Sequence, residues 1–163
     1  MTQEDIQAIL EKQPRNSFLL DISVIDGLTR VQGSPNQRRE QTQLYNLILS
    51  FQVTAYVFTE VVDFVCKEVE REKGELFAQK IRQHFKNYFI ICTKNNNPAK
   101  SGYPPLINLI QKGLVTMIIM NEPANFPKEY DYLESAVSRN LQVLTPAQFL
   151  ACFKFDEEEV EII

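Results

Sequence analysis

The chain has few of the residues that most enzyme chemistries need. Only five of its 163 residues are glycine. Neither GxGxxG nor GxxxxGK[ST] occurs, which removes the glycine-rich phosphate loops of nucleotide-dependent enzymes. There is one histidine, His84, in "IRQHFKN" near a helix end, and there is no GxSxG elbow, so a Ser–His–Asp triad has no support. The three cysteines, Cys66, Cys92 and Cys152, are scattered and odd in number, without a CxxC pair. That pattern excludes a disulfide framework and a zinc site, and reads as small buried hydrophobes in a reducing compartment. No apolar run approaches the roughly 18 residues of a membrane span. The opening "MTQEDIQAILEKQ" has neither the basic start nor the long apolar core of a signal peptide. A net charge of −4 and a pI near 5.1 exclude a general attraction to nucleic acid or anionic membranes. The expectation is a cytoplasmic protein whose contact with any nucleic acid is local.

Apolar residues make up 44% of the chain, enough for one domain with a real core. Helix-like and strand-like segments alternate. "TQEDIQAILEKQ" places Ile6, Ile9 and Leu10 on one face, so a helix is expected within residues 1–15. "SFLLD", "QVTAYVF", "YFIICT", "LVTMIIM" and "LQVL" read as short buried strands. Between them come "NQRREQTQLYNLILSF", started by Pro35, and "EVVDFVCKEVEREKG", with Thr59 as its N-cap and Gly74 as its end. "ELFAQKIRQHFKN", "LINLIQKG" and "TPAQFLACF" are further helices, whereas "KNNNPAKSGYPP" and "NEPANFPKE" are loops. Five apolar strands alternating with helices predict a three-layer α/β/α fold around a central, mostly parallel sheet. A single domain is expected over residues 1–155, followed by a solvated acidic tail at 156–163.

In such sheets ligands bind beyond the carboxyl ends of the strands. Asp21 closes the first strand, inside the apolar run "FLLDISVI". An aspartate among apolar residues is costly unless it is paired, hydrogen-bonded or metal-bound. Glu60 opens the helix after the second strand, and Glu122 follows the fourth. Three acids from distant parts of the chain thus fall at one edge of one sheet. Converging carboxylates repel unless a hard cation lies between them, and magnesium or manganese prefers such ligands. Each acid also has an ordinary reading: a turn former for Asp21, a dipole complement for Glu60, a loop residue for Glu122. Arg38, Arg39, Lys94 and Lys100 are the basic residues best placed to meet a polynucleotide, with Tyr88 and Tyr103 near the last two as stacking platforms. A solvated helix face plus a loop is the competing reading of that set.

These segments resemble the PIN domain. "FLLDISVI" is similar to its opening strand, with Asp21 at the strand end and a small hydroxyl residue, Ser23, two positions on. "VTAYVFTEVVDFV" resembles its second strand and glutamate, carried by Glu60. "VTMIIMNEPANF" resembles its late strand and acidic turn, with Glu122 at the main acid position and Asn125 at the minor one. "LQVLTPAQFL" resembles its closing strand and helix. The resemblance spans about residues 16 to 153. It implies a magnesium- or manganese-dependent ribonuclease in which Asp21, Glu60 and Glu122 hold the metal and Ser23 and Asn125 support it. It further implies RNA as substrate, an antitoxin-like protein partner, as for the toxins of bacterial toxin–antitoxin pairs, and a homodimer. One departure stands out. The family places an aspartate before the fourth strand, where this chain has "KSGYPPLINLI", and no acid lies between Tyr88 and Met120. The resemblance therefore allows two outcomes: a nuclease of weakened activity, or a catalytically inactive scaffold that binds RNA or protein. A flavodoxin-like small-molecule binder is the third class, and would show an apolar pocket at the switch point of the sheet instead of clustered acids.

Overall fold

The computed structural model describes residues 16–25, 34–94, 102–130, 133 and 141–161, with side chains as far as 153. The expected N-terminal helix, most of "YDYLESAVSRN" and Lys100 and Ser101 lie outside these residues. The elements run in the order β1 (Ser17–Leu20), α1 (Pro35–Leu49), β2 (Thr54–Phe58), α2 (Thr59–Lys73), α3 (Glu75–Tyr88), β3 (Ile90–Cys92), α4 (Leu106–Gln111), β4 (Met117–Ile119), α5 (Phe126–Glu129), β5 (Gln142–Leu144) and α6 (Pro146–Glu161). A 3-10 turn, Pro123–Asn125, leads into α5.

The five strands form one sheet in the order β3-β2-β1-β4-β5, and every pairing is parallel. Helices flank it, which makes the fold three-layer α/β/α. From β1 the chain steps outward to β2 and β3, then returns to add β4 and β5 on the other side of β1. The order therefore reverses between β1 and β4, where Leu19 pairs with Ile118.

The reason for parallel pairing lies in the strands themselves. Phe18, Leu19 and Leu20 of β1 are fully buried, and all residues of β2 to β4 are buried as well. A strand apolar on both faces has to be covered on both faces, which helical crossovers achieve. Each such Leu, Ile or Phe contributes about 1.5–3 kcal/mol through its burial. β5 is only half-buried, as befits an edge. No helix among the described residues is long and apolar enough to cross a membrane.

Helix ends largely follow the local chemistry. Thr145 caps α6 through its hydroxyl, which accepts from the Gln148 amide at 3.1 Å, while the Gln148 side chain returns to the Thr145 amide at 2.9 Å. Ser34 and Gln37 do the same for α1. Thr59 is not a cap: the N-cap of α2 is Phe58, without a side-chain bond, because the buried strand runs straight into the helix. Gly74, with φ +94°, turns α2 into α3. The supposed loop "NEPANFPKE" is instead two short helical pieces, each opened by a proline. α6 continues to Glu161, well into the segment expected as a tail. Cys66 and Cys92 are buried as expected, but Cys152 is exposed on α6.

Candidate functional site

Asp21 is the first residue past β1, and its amide still donates to the Ile119 carbonyl of β4 at 3.0 Å. It therefore sits at the point where the strand order reverses, the usual ligand crevice of such sheets. The residue is only 4% exposed, so its carboxylate must find partners within the protein. Ser23, in the helical turn of residues 22–25, supplies two. Its amide donates to Oδ2 at 3.1 Å and its hydroxyl donates to the same oxygen at 2.8 Å. The buried hydroxyl of Tyr130 donates to Oδ1 at 2.6 Å.

Asn121 ties this arrangement to β4. Its amide donates to the Ser23 hydroxyl at 3.2 Å and its side chain to the Ser23 carbonyl at 2.9 Å. The ring of Tyr130 is held by stacking on Phe126, with centroids 5.3 Å apart, and on Phe58, at 6.4 Å. Residues next to the ends of β1, β2 and β4 are thereby locked together.

Glu129, the last residue of α5, is exposed and lies near enough to Asp21 for the two charges to be felt. Partial desolvation on that side, the Asp21 charge, the contact with Asp21 and the nearby Glu122 all push its acidity toward higher pH, while the Lys94 ammonium pulls it back. Lys94 is exposed just beyond β3 and lies over the Phe58 ring, 5.1 Å from its centroid. Lys94 thus borders the acids.

The other expected residues are distributed around this centre. Glu122 is exposed and accepts from the side-chain amide of Asn125 at 3.1 Å. Glu60 is engaged elsewhere, accepting from the Thr93 hydroxyl at 3.2 Å over the β2–β3 side of the edge. Burial of the Cys92 thiol, and after it the Glu60 charge, push the thiol pKa up, so that thiol stays protonated and inert. Arg38 and Arg39 are exposed near the start of α1. Because α1 links two parallel neighbours, it runs back against the strands, and it starts from the edge that carries Asp21. Tyr88 is half-buried against Phe51, with centroids 5.7 Å apart, and Tyr103 packs on the core, so neither stands clear as a stacking platform. Asp63 pairs with Arg82 at 2.9 Å.

Among the described residues, no three His, Cys, Asp or Glu side chains gather closely enough to hold one metal ion. Asp21, Glu60 and Glu122 are thus not preassembled as a triad. The carboxyls whose charges interact at this edge, those of Asp21 and Glu129, are hard oxygens. They fit magnesium or manganese, which commonly take one or two protein carboxylates and complete their shell with water and substrate phosphate. Among the described residues, Oδ1 of Asp21 accepts from Tyr130 and Oδ2 accepts twice from Ser23. No family model, curated protein or solved structure matches this chain.

Sequence reasoning missed Glu129, Tyr130 and Asn121. The overlooked signal was the pair Pro123 and Pro127. Each starts a helical turn, and the second turn carries Glu129 back toward Asp21.

Proposed function

We propose that this protein is a PIN-like phosphodiesterase acting on RNA, with activity weakened by an incomplete acid set. The observation that carries this reading is the buried Asp21 carboxylate, fixed by Ser23 and Tyr130 at the strand-order reversal. The Glu129 charge acts on the same spot, and a divalent cation relieves such neighbouring negative charges. Asp21 and Glu129 would hold magnesium or manganese, which when bound would polarise a phosphoryl oxygen and lower the pKa of water.

The remaining roles fall to side chains at the same edge. Ser23 and Tyr130 fix the orientation of Asp21. Lys94, exposed beside Glu129, attracts a phosphate of the RNA backbone, and Arg38 and Arg39 extend that attraction along the edge. Glu122, which accepts from Asn125, would take the proton of the attacking water. Glu60 stays with Thr93 and supports the wall of the crevice.

The second reading is a PIN-like scaffold that binds RNA or a protein partner without cleaving. It is favoured by the filled state of Asp21 Oδ2.

The test is cleavage of single-stranded RNA by wild type, Asp21→Asn, Glu129→Gln and Gly102→Asp, in magnesium and in manganese. The expected outcome is slow wild-type cleavage that is faster in manganese, abolished by Asp21→Asn and reduced at least tenfold by Glu129→Gln. Gly102 has φ +73° and open space around a new side chain, so its replacement carries some backbone strain while returning an acid to the region that lacks one. That variant should cleave faster than wild type. Cleavage that survives Asp21→Asn removes the site. RNA binding with no cleavage by any variant selects the scaffold.

A further inference from the structure

Away from the acidic edge, α1, α2 and α3 enclose a cleft of about 250 Å³. Four phenylalanines shape it. Phe85 and Phe89 are buried at its base, while Phe64 and Phe77 remain 46% and 40% exposed. Tyr45 of α1 and His84 of α3 also face it, and the tyrosine hydroxyl is hydrogen-bonded to His84 Nε2. Their rings lie 5.6 Å apart.

Packing alone does not account for this combination. A helix interface gains by filling its space, and an open cleft of this size leaves large apolar side chains such as Phe64 and Phe77 partly in water. Placing a tyrosine–histidine pair in apolar surroundings adds a desolvation cost that their mutual bond only offsets. Ligand sites, in contrast, combine apolar walls with a few placed polar groups.

We propose that this cleft binds a small, uncharged, two-ring aromatic molecule carrying one N–H or O–H group. The volume sets the size, since an engineered cavity of about 150 Å³ takes benzene. Exposed Phe64 and Phe77 supply aromatic surface at the mouth for edge or offset stacking. The hydroxyl of Tyr45 retains acceptor capacity after bonding His84, and it receives the ligand's hydrogen. Charge is selected against at both ends. Burial pushes His84 down, and burial followed by the neighbouring Tyr88 pushes Tyr45 up, so both are neutral at pH 7. Glu72 in the lining opposes an anion, Glu68 is paired with Arg71 at 3.3 Å, and Lys73 is drawn onto the Phe77 ring, 4.9 Å from its centroid. The proposal is independent of the acidic edge, which shares none of these residues.

Titration calorimetry on the full chain with indole, indene and indole-3-carboxylate tests it. Indole should bind saturably, about tenfold tighter than indene, which has the same shape without the N–H. One hydrogen bond in a water-poor site corresponds to roughly that factor. Indole-3-carboxylate should bind more weakly than indole. The double variant Tyr45→Phe/His84→Leu should lose the preference for indole over indene. Val69→Phe, which fills the cleft from α2, should weaken both by at least tenfold and leaves the polar pair in place. No saturable binding to wild type, equal binding of indole and indene, or an unchanged affinity in Val69→Phe each overturns the proposal. So does binding that weakens as protein concentration rises, which would make a second copy of the chain the occupant.

Discussion

Replacing Tyr130 by phenylalanine removes one oxygen and keeps the ring. The stacks on Phe126 and Phe58 survive, and so does the buried volume. What disappears is the 2.6 Å bond to Oδ1 of a carboxylate that is 4% exposed. A hydrogen bond to a charged group contributes about 1.5–3 kcal/mol. Ser23 still holds Oδ2, so Asp21 is weakened but not orphaned. The expected loss is about 2 kcal/mol. For a chain of this length that corresponds to a fall in Tm of roughly 4–8 °C. Urea unfolding followed by circular dichroism gives the loss directly. Combining Tyr130→Phe with Asp21→Asn in a double-mutant cycle isolates the shared term, which should be about 1 kcal/mol or more. A loss below about 0.5 kcal/mol, with coupling near zero, would refute the reasoning, because the bond would then be replaceable by water at no cost.

Further outcomes follow from the same geometry. Glu129 has its pKa raised by desolvation and by Asp21, so the folded state holds its proton to higher pH than the unfolded chain does. The folded state then binds more protons, and stability from this group is present at low pH and lost as pH rises past the ordinary value of 4.5. Glu129→Gln should flatten that decline in a series of urea melts between pH 4 and 7; an unchanged slope would mean that the two charges do not interact in solution. Thr145→Ala opens the capping box of α6 and should cost about 1 kcal/mol in the same melts, with little effect on RNA cleavage. Leu19→Ala, in the central strand, should cost about 2–5 kcal/mol because the fully buried site has no solvent to relax toward.

The sheet was readable because its strands are apolar throughout. "SFLL" and "TAYVF" bury every residue, and no other layered arrangement accommodates that. Strand ends were overestimated by one to three residues, as with "LVTMIIM" against Met117–Ile119, because apolar residues such as Leu114 and Val115 continue into the core without pairing. Asp21 was legible from its cost alone. Its partners were not. Tyr130 lies 109 positions away and Asn121 is 98 positions from Ser23, and no local pattern encodes a bond across that distance. The cleft beside His84 was equally hidden, since a lone histidine near a helix end gives no hint of the tyrosine 39 residues earlier.

The placement of β1 between β2 and β4 has a consequence for how the molecule comes into being. The pairing of β1 with β2 closes over little more than a third of the chain length spanned by the pairing of β1 with β4, where Leu19 waits for Ile118. Contacts between distant residues form slowly, because the intervening chain must first lose its freedom. The strands β1 to β3 and their helices belong to the part synthesised first, and β4 and β5 dock onto a partly made sheet. Everything that acts on Asp21 from the far side, Asn121, Glu129 and Tyr130, arrives with that later docking. Until then the carboxylate has only Ser23 beside it. A nascent or partly unfolded chain therefore carries the cleft helices but not the acidic edge, and the edge comes into existence only with the last third of the protein in place.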